Sequence, residues 1–187
     1  ELDVDIIKEV MVAHKSGINI LAATQPETAE QVTGGQFASL LDYLRGIYTY
    51  TIIDTPSRLS DVTIAALDSS DAIVLLTTQD IPAIASVRKF LDLVPLLKLD
   101  RRRIVTVMNQ YNHRLKIDPT KVGQTLQNEI VATIPLDANV VVPSINRGVP
   151  FMLQNEARSS EVGKSMRTLT ESVRRLSLES SLAAVAA

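Results

Sequence analysis

The chain has 187 residues, of which 45% are hydrophobic and only 4% aromatic, enough apolar content for one sizeable and mainly aliphatic core. Its 19 basic and 21 acidic residues leave a net charge of −2, which argues against a dedicated nucleic-acid binder, since such proteins depend on neutralising phosphates. With no cysteine, disulfides and thiolate metal sites are excluded, and no apolar run reaches the roughly 20 residues of a membrane-spanning helix.

Leu2, Ile6 and Val10, with Ile7, Met11 and His14, recur at helical spacing and predict an amphipathic helix that Lys15-Ser16-Gly17 ends. Ile18 to Ala23 reads as a short strand. After a polar loop through Gln25-Pro26-Glu27, Thr33 with Gln36 three residues later is a capping-box pattern. Phe37, Leu40, Leu41 and Leu44 then form the inner face of a helix that Gly46 closes. Tyr48 to Asp54 reads as a buried strand, Leu59, Val62, Ala65 and Ala66 as a helix, and Ala72 to Thr78 as the next strand.

Beyond Pro82 a longer helix turns Ile84, Val87, Leu91 and Val94 inward and ends or kinks at Pro95. Arg103 to Asn109 is a further strand. Asp118-Pro119 supplies a cap and a first-turn proline for a helix with Val122 and Leu126 inward. Ile130 to Ile134 is a fifth strand, ended by Pro135. A helical or irregular piece reaches Asn146-Arg147-Gly148-Val149-Pro150, where a tight turn calls for positive φ at Gly148. Val162, Met166, Leu169, Val173 and Leu176 space a final helix, its inner residues serving the core or a dimer contact, and Ser180 to Ala187 reads as a frayed tail. Strands alternating with helices predict a mainly parallel sheet with right-handed crossovers, in one domain over residues 1–178.

Three strand ends carry polar residues toward the same edge of such a sheet: Asp54-Thr55-Pro56-Ser57, Thr77-Thr78-Gln79-Asp80 and Met108-Asn109-Gln110. That edge is where open α/β sheets place ligands. Asp54 closes the β-branched run Thr51-Ile52-Ile53 in the manner of a Walker B strand, whose carboxylate holds Mg²⁺. The bland alternative for Asp54 is a turn cap, and the same holds for Asn109.

The segments "YTYTIIDTPS", "SSDAIVLLTTQDIPAIASVRKFLDLV", "RIVTVMNQY", "VATIPLDANVV" and "INRGVPF" follow in the order of the ParA/MinD deviant-Walker ATPases, and the chain resembles that family from Leu2 to about Leu176. The opening "LDVDIIKEVMVAHKSGINILAATQPETAEQV" is similar to the CpaE/TadZ branch, associated with pilus assembly and polar localisation. The resemblance implies a three-layered α/β sandwich of the P-loop NTPase type and an ATP- and Mg²⁺-dependent switch. Such a switch dimerises with nucleotide, hydrolyses ATP to ADP, and recruits pilus, secretion or other polar machinery from the cytoplasm. It implies that Asp54 is the Mg²⁺-side acid, acting through water, and that Thr55, Pro56 and Ser57 lie in the segment that senses the γ-phosphate. Asn109 matches the adenine-binding Asn, and Pro135 and Asp137 the loop over the base. An amide that both donates and accepts suits an adenine edge.

The family's glycine- and lysine-rich phosphate loop has no match here. Gly34-Gly35 is followed by no Lys-Ser/Thr and reads as a plain helix start, so the chain corresponds to the carboxyl-terminal part of such an ATPase. Two rivals stay open. One is a non-hydrolysing scaffold of the same fold. The other is a phosphoacceptor receiver domain with Asp54 phosphorylated, which lacks the acidic pair and the lysine it needs. His14 and His113 are isolated. Arg101-Arg102-Arg103 reads as a solvated helix end, and the final helix lacks the basic amphipathic composition of a lipid-binding one.

Overall fold

The computed structural model describes residues 7, 9–22 and 32–185. They fall into two compact units, Glu1–Ser70 and Asp71–Ala187. The loop through Gln25-Pro26-Glu27, and residues 2–6 and 8 of the predicted first helix, lie outside the described residues.

In the first unit, helical residues at Ile7, Glu9 and Val10 give way to β1 (Val12–Ala13), which pairs antiparallel with β2 (Asn19–Ile20) across a turn containing Gly17 at φ 87. This corrects two expectations: the helix stops short of His14, and Asn19–Ile20, within the predicted Ile18–Ala23 strand, pairs antiparallel in a short hairpin instead of joining a parallel sheet. A hairpin of two-residue strands joined by residues 14–18 is local, and the sequence cue for it is the Lys15-Ser16-Gly17 turn. The capping box at Thr33 forms as read: Thr33 Oγ1 accepts the Gln36 N–H at 3.2 Å, and Gln36 Oε1 accepts the Thr33 N–H at 2.9 Å. It opens α1 (Gly34–Arg45), which packs on α2 (Asp61–Ser69) with Leu41, Leu44, Thr63 and Ala66 buried. A β-carbon at Gly34 would meet the Asp61 carbonyl oxygen at 2.8 Å, so Gly34 serves this close approach.

The stretch Tyr48 to Asp54 is not the buried strand predicted. Among the described residues it pairs with no strand, and Ile52 is 94% exposed. Apolar β-branched residues with helices on either side are the correct local pattern for a buried strand. Burial, however, requires a neighbour whose backbone closes the ladder, and no described residue provides one.

The second unit is an α/β layer structure. Its sheet has three parallel strands in the order β3-β4-β5, formed by Ile73–Thr77, Ile104–Tyr111 and Ile130–Pro135. Val107 and Met108 are consecutive, point to opposite faces, and are both fully buried, so the sheet is covered on both sides. Helices α3 (Ile81–Leu93) and α4 (Pro119–Leu126) pack on β3 and β5 respectively and on each other, burying Val87, Leu91, Val122 and Leu126. After α5 (Ala138–Arg147) and α6 (Asn155–Ser159), α7 (Glu161–Val185) returns across β5. Val162 is buried against Val107, Ala132 and Ile134, with Met166 and Leu169 packed beside it, so the inner face of this helix serves the core. The helix continues through Ser180 to Val185, and Ser180 Oγ donates to the Asp71 carbonyl at 3.0 Å. That bond anchors a small-residue segment whose composition alone suggests fraying. Gly148 ends α5 at φ 60, the positive value the turn required.

Candidate functional site

The carboxyl ends of β3, β4 and β5 meet at one edge of the second unit's sheet. At the end of β3, Asp80 caps α3, its Oδ1 accepting the Ala83 N–H at 2.8 Å and its Oδ2 accepting the Thr78 hydroxyl. The Thr78 hydroxyl first, and the Ala83 N–H second, hold the Asp80 carboxyl below the usual carboxylate range. Gln79, between them, is buried.

β4 runs beyond Asn109 to Tyr111, through an irregularity in its pairing with β5 between Met108 and Tyr111. Gln110 adopts φ 53, and its N–H donates to Asn109 Oδ1 at 2.9 Å. The Asn109 oxygen thus shapes the bulge, while its amide nitrogen makes no bond to any described residue. Bulges of this kind sit next to sites because they re-aim side chains. Pro135 pairs with Tyr111, and Asp137 caps α5 by accepting the Val140 N–H at 3.2 Å. Tyr111, Asn112, His113, Arg114, Pro135 and Leu136 line a depression of about 220 Å³.

Of the residues the sequence nominated, Asn109, Pro135 and Asp137 come to this edge, and Pro135 lines the depression itself. Asp54, Thr55, Pro56 and Ser57 belong to the other unit and are all exposed. The sequence reading gave no site role to Tyr111, Asn112, His113 or Arg114, which line the depression. The cue for them was the polar run Gln110-Tyr111-Asn112-His113-Arg114, which follows an apolar strand and precedes a proline-capped helix.

The remaining polar candidates have local explanations. Arg101 donates to the Leu126 and Gln127 carbonyls at 2.8 and 3.1 Å, completing the carboxyl end of α4, and Arg102 pairs with Asp100 at 2.8 Å. The first places a cation at a helix's carboxyl end, and the second is a local pair with the residue that caps the 101–103 turn. His14 contacts Ser16 Oγ at 2.7 Å within the hairpin turn. Among the described residues no three His, Asp or Glu side chains group as a metal site. Asp54 is exposed, so its carboxylate is open to a magnesium ion held through water. Such a ligand suits a hard cation that retains its waters.

No family model matches the chain. It is 25% identical over 174 residues to the septum site-determining protein MinD of Thermotoga maritima, covering 89% of this chain and 63% of that protein. A putative MinD of Guillardia theta is 26% identical over 140 residues, covering 72% of this chain and 51% of the relative. The chain is homologous to the MinD/ParA ATPases. It spans between half and two thirds of the length of these curated relatives.

Solved structures agree on the fold. A ParA family ATPase from Chlorobium tepidum superposes with a TM-score of 0.77 at 17% identity, over 88% of this chain and 67% of that one. MinD from Pyrococcus horikoshii, solved with Mg-ADP, gives 0.75 at 20% identity, over 93% and 71%. The α/β architecture is thus that of the MinD/ParA P-loop NTPases, as the order of the sequence motifs implied.

Proposed function

We propose that this chain is part of a nucleotide-dependent switch that positions cellular machinery, with ATP or ADP and Mg²⁺ as its ligands. Homology across 89% of the chain to a MinD protein carries the reading, and the Mg-ADP held by the Pyrococcus horikoshii relative supports the choice of ligands. In this reading Asp54 holds Mg²⁺ through water, and Thr55, Pro56 and Ser57 respond to the γ-phosphate. The ion, when bound, offsets charge on the phosphates, and phosphoryl transfer of this kind depends chiefly on positioning and electrostatics.

The base lies at the β4–β5 edge. Asn109 offers the amide nitrogen that its bulge leaves unbonded, and Pro135 forms part of the wall. Because Asp137 Oδ1 is already used on Val140, that residue sets the shape of the loop instead of reading the base with that oxygen. The depression is smaller than the roughly 300–1,000 Å³ of whole-ligand pockets, and accommodates one ring system more readily than a nucleotide.

The finer assignment is to the CpaE/TadZ branch: a cytoplasmic protein, at a cell pole, whose ATP-bound homodimer recruits pilus or secretion components. It rests on the opening segment's similarity to that branch. ATP hydrolysis and light scattering on the full-length protein test it together. The switch reading requires turnover and a nucleotide-dependent dimer, both lost in Asp54→Ala. A second reading is a scaffold of the same fold that does not hydrolyse ATP. A dimer indifferent to nucleotide, with no turnover, selects the scaffold.

A further inference from the structure

We propose that Gln79 is a positioning residue that holds the loop of residues 112–117 as the wall of the base-side depression, and so sets base selectivity. The inference rests on the reading that a nucleotide base occupies this edge.

Gln79 is 7% exposed and lies just past the end of β3. Its carboxamide spans the loop that joins β4 to α4. Nε2 donates to the Ile117 carbonyl at 3.0 Å, and Oε1 accepts the Asn112 N–H at 2.6 Å. One buried side chain therefore fastens both ends of a loop more than thirty residues away in sequence, as the separations of 38 and 33 show. Only an amide can do this: it presents a donor and an acceptor on one rigid plane. Glutamate at neutral pH accepts but cannot donate, and methionine fills the space with neither function.

Between the anchors the loop has local turn bonds: Asn112 Oδ1 accepts the Arg114 N–H and the Asn112 carbonyl accepts the Leu115 N–H, both at 3.0 Å, and residues 113–116 are exposed. Asn112, His113 and Arg114 nevertheless line the depression, opposite Pro135 and Leu136. The opposite wall is fixed separately, by the Leu136 N–H donating to the Tyr111 carbonyl at 2.9 Å. Without Gln79, one wall stays in place and the other loses both its anchors. A preorganised wall costs no ordering when the ligand arrives, and this advantage is what the side chain confers. Binding also becomes coupled to the end of β3, since Thr78 and Asp80 on either side of Gln79 are tied to one another.

The test compares the affinities of Mg-ATP and Mg-GTP for the full-length protein, as wild type, Gln79→Met and Gln79→Glu, with thermal unfolding run in parallel. The expected result is a wild type that prefers ATP and two folded variants in which ATP binding falls about tenfold while GTP changes little, so the preference collapses. A merely structural role would lower the unfolding temperature and leave the ATP-to-GTP ratio alone. An unchanged ratio in folded variants overturns the inference and leaves the nucleotide reading standing. Two variants that fail to fold also overturn it, because Gln79 is then a core residue and no more. A wild type that binds neither nucleotide rejects the underlying reading as well, and one that binds both equally rejects the selectivity role.

Discussion

Leu136 donates its backbone N–H to the Tyr111 carbonyl at 2.9 Å, one residue past the last pairing of β5 with β4. The bond carries the sheet's hydrogen bonding beyond the bulge at Gln110, so the exits of the two strands stay together after their register has shifted. Asn109, Tyr111 and Pro135 owe their common edge to it.

The bulge separates two roles of Asn109. Its Oδ1 supports the Gln110 backbone, and its amide nitrogen is the proposed donor to the base. Asn109→Asp keeps the acceptor, so it is expected to retain stability while losing ATP affinity by about tenfold, a change of about 1.4 kcal/mol. Asn109→Ala loses both. Urea unfolding and ATP titration on the two variants separate these effects; equal stability losses in both would deny the oxygen its role in the bulge.

Gly163, near the start of α7, lies under the end of α6. A β-carbon there would sit 2.5 Å from the carbonyl oxygens of both Ala157 and Arg158, which are backbone atoms and cannot swing aside. Gly163→Ala is expected to destabilise the fold by about 1–3 kcal/mol in urea unfolding. Gly35→Ala is the control. Nothing lies within 4 Å of its missing side chain, and alanine is the better helix former, so stability should hold or rise.

Asp80 makes stability depend on acid. Because the Thr78 hydroxyl and the Ala83 N–H lower its folded pKa, the folded chain binds that proton more weakly than the unfolded chain. The contribution is complete above the unfolded value of about 3.9 and is lost as pH falls through the lower folded value. A carboxyl NMR titration should place the Asp80 midpoint below the ordinary range and move it upward in Thr78→Val. No movement would remove Thr78 as the main cause.

What the sequence disclosed was whatever short-range chemistry determines. Thr33 with Gln36, Asp118 with Pro119, and Gly148 all specify their own local geometry, and each appears as read. The strands β3, β4 and β5 were legible because buried parallel strands are runs of Val, Ile and Leu bounded by polar residues. Tyr48 to Asp54 shows where this fails. Its residues have a strand's character, but pairing depends on a partner backbone that side-chain pattern cannot reveal. The candidate site was half legible for a related reason: Pro135 ends β5 and Asn109 lies two residues before the end of β4, whereas the loop of residues 112–117 is held by Gln79, a contact between segments far apart in the chain.

The central claim is that the chain binds ATP, with Asp54 answering for the magnesium dependence and Asn109 for contact with the base. Calorimetric titration of ATP into the full-length protein, with and without Mg²⁺, tests it most directly, using wild type, Asp54→Ala and Asn109→Asp. The account predicts ATP binding that strengthens with Mg²⁺ in the wild type, loses that magnesium dependence in Asp54→Ala, and weakens with or without magnesium in Asn109→Asp. A wild type that binds no ATP under either condition would contradict it, as would an Asp54→Ala variant whose magnesium response is unchanged.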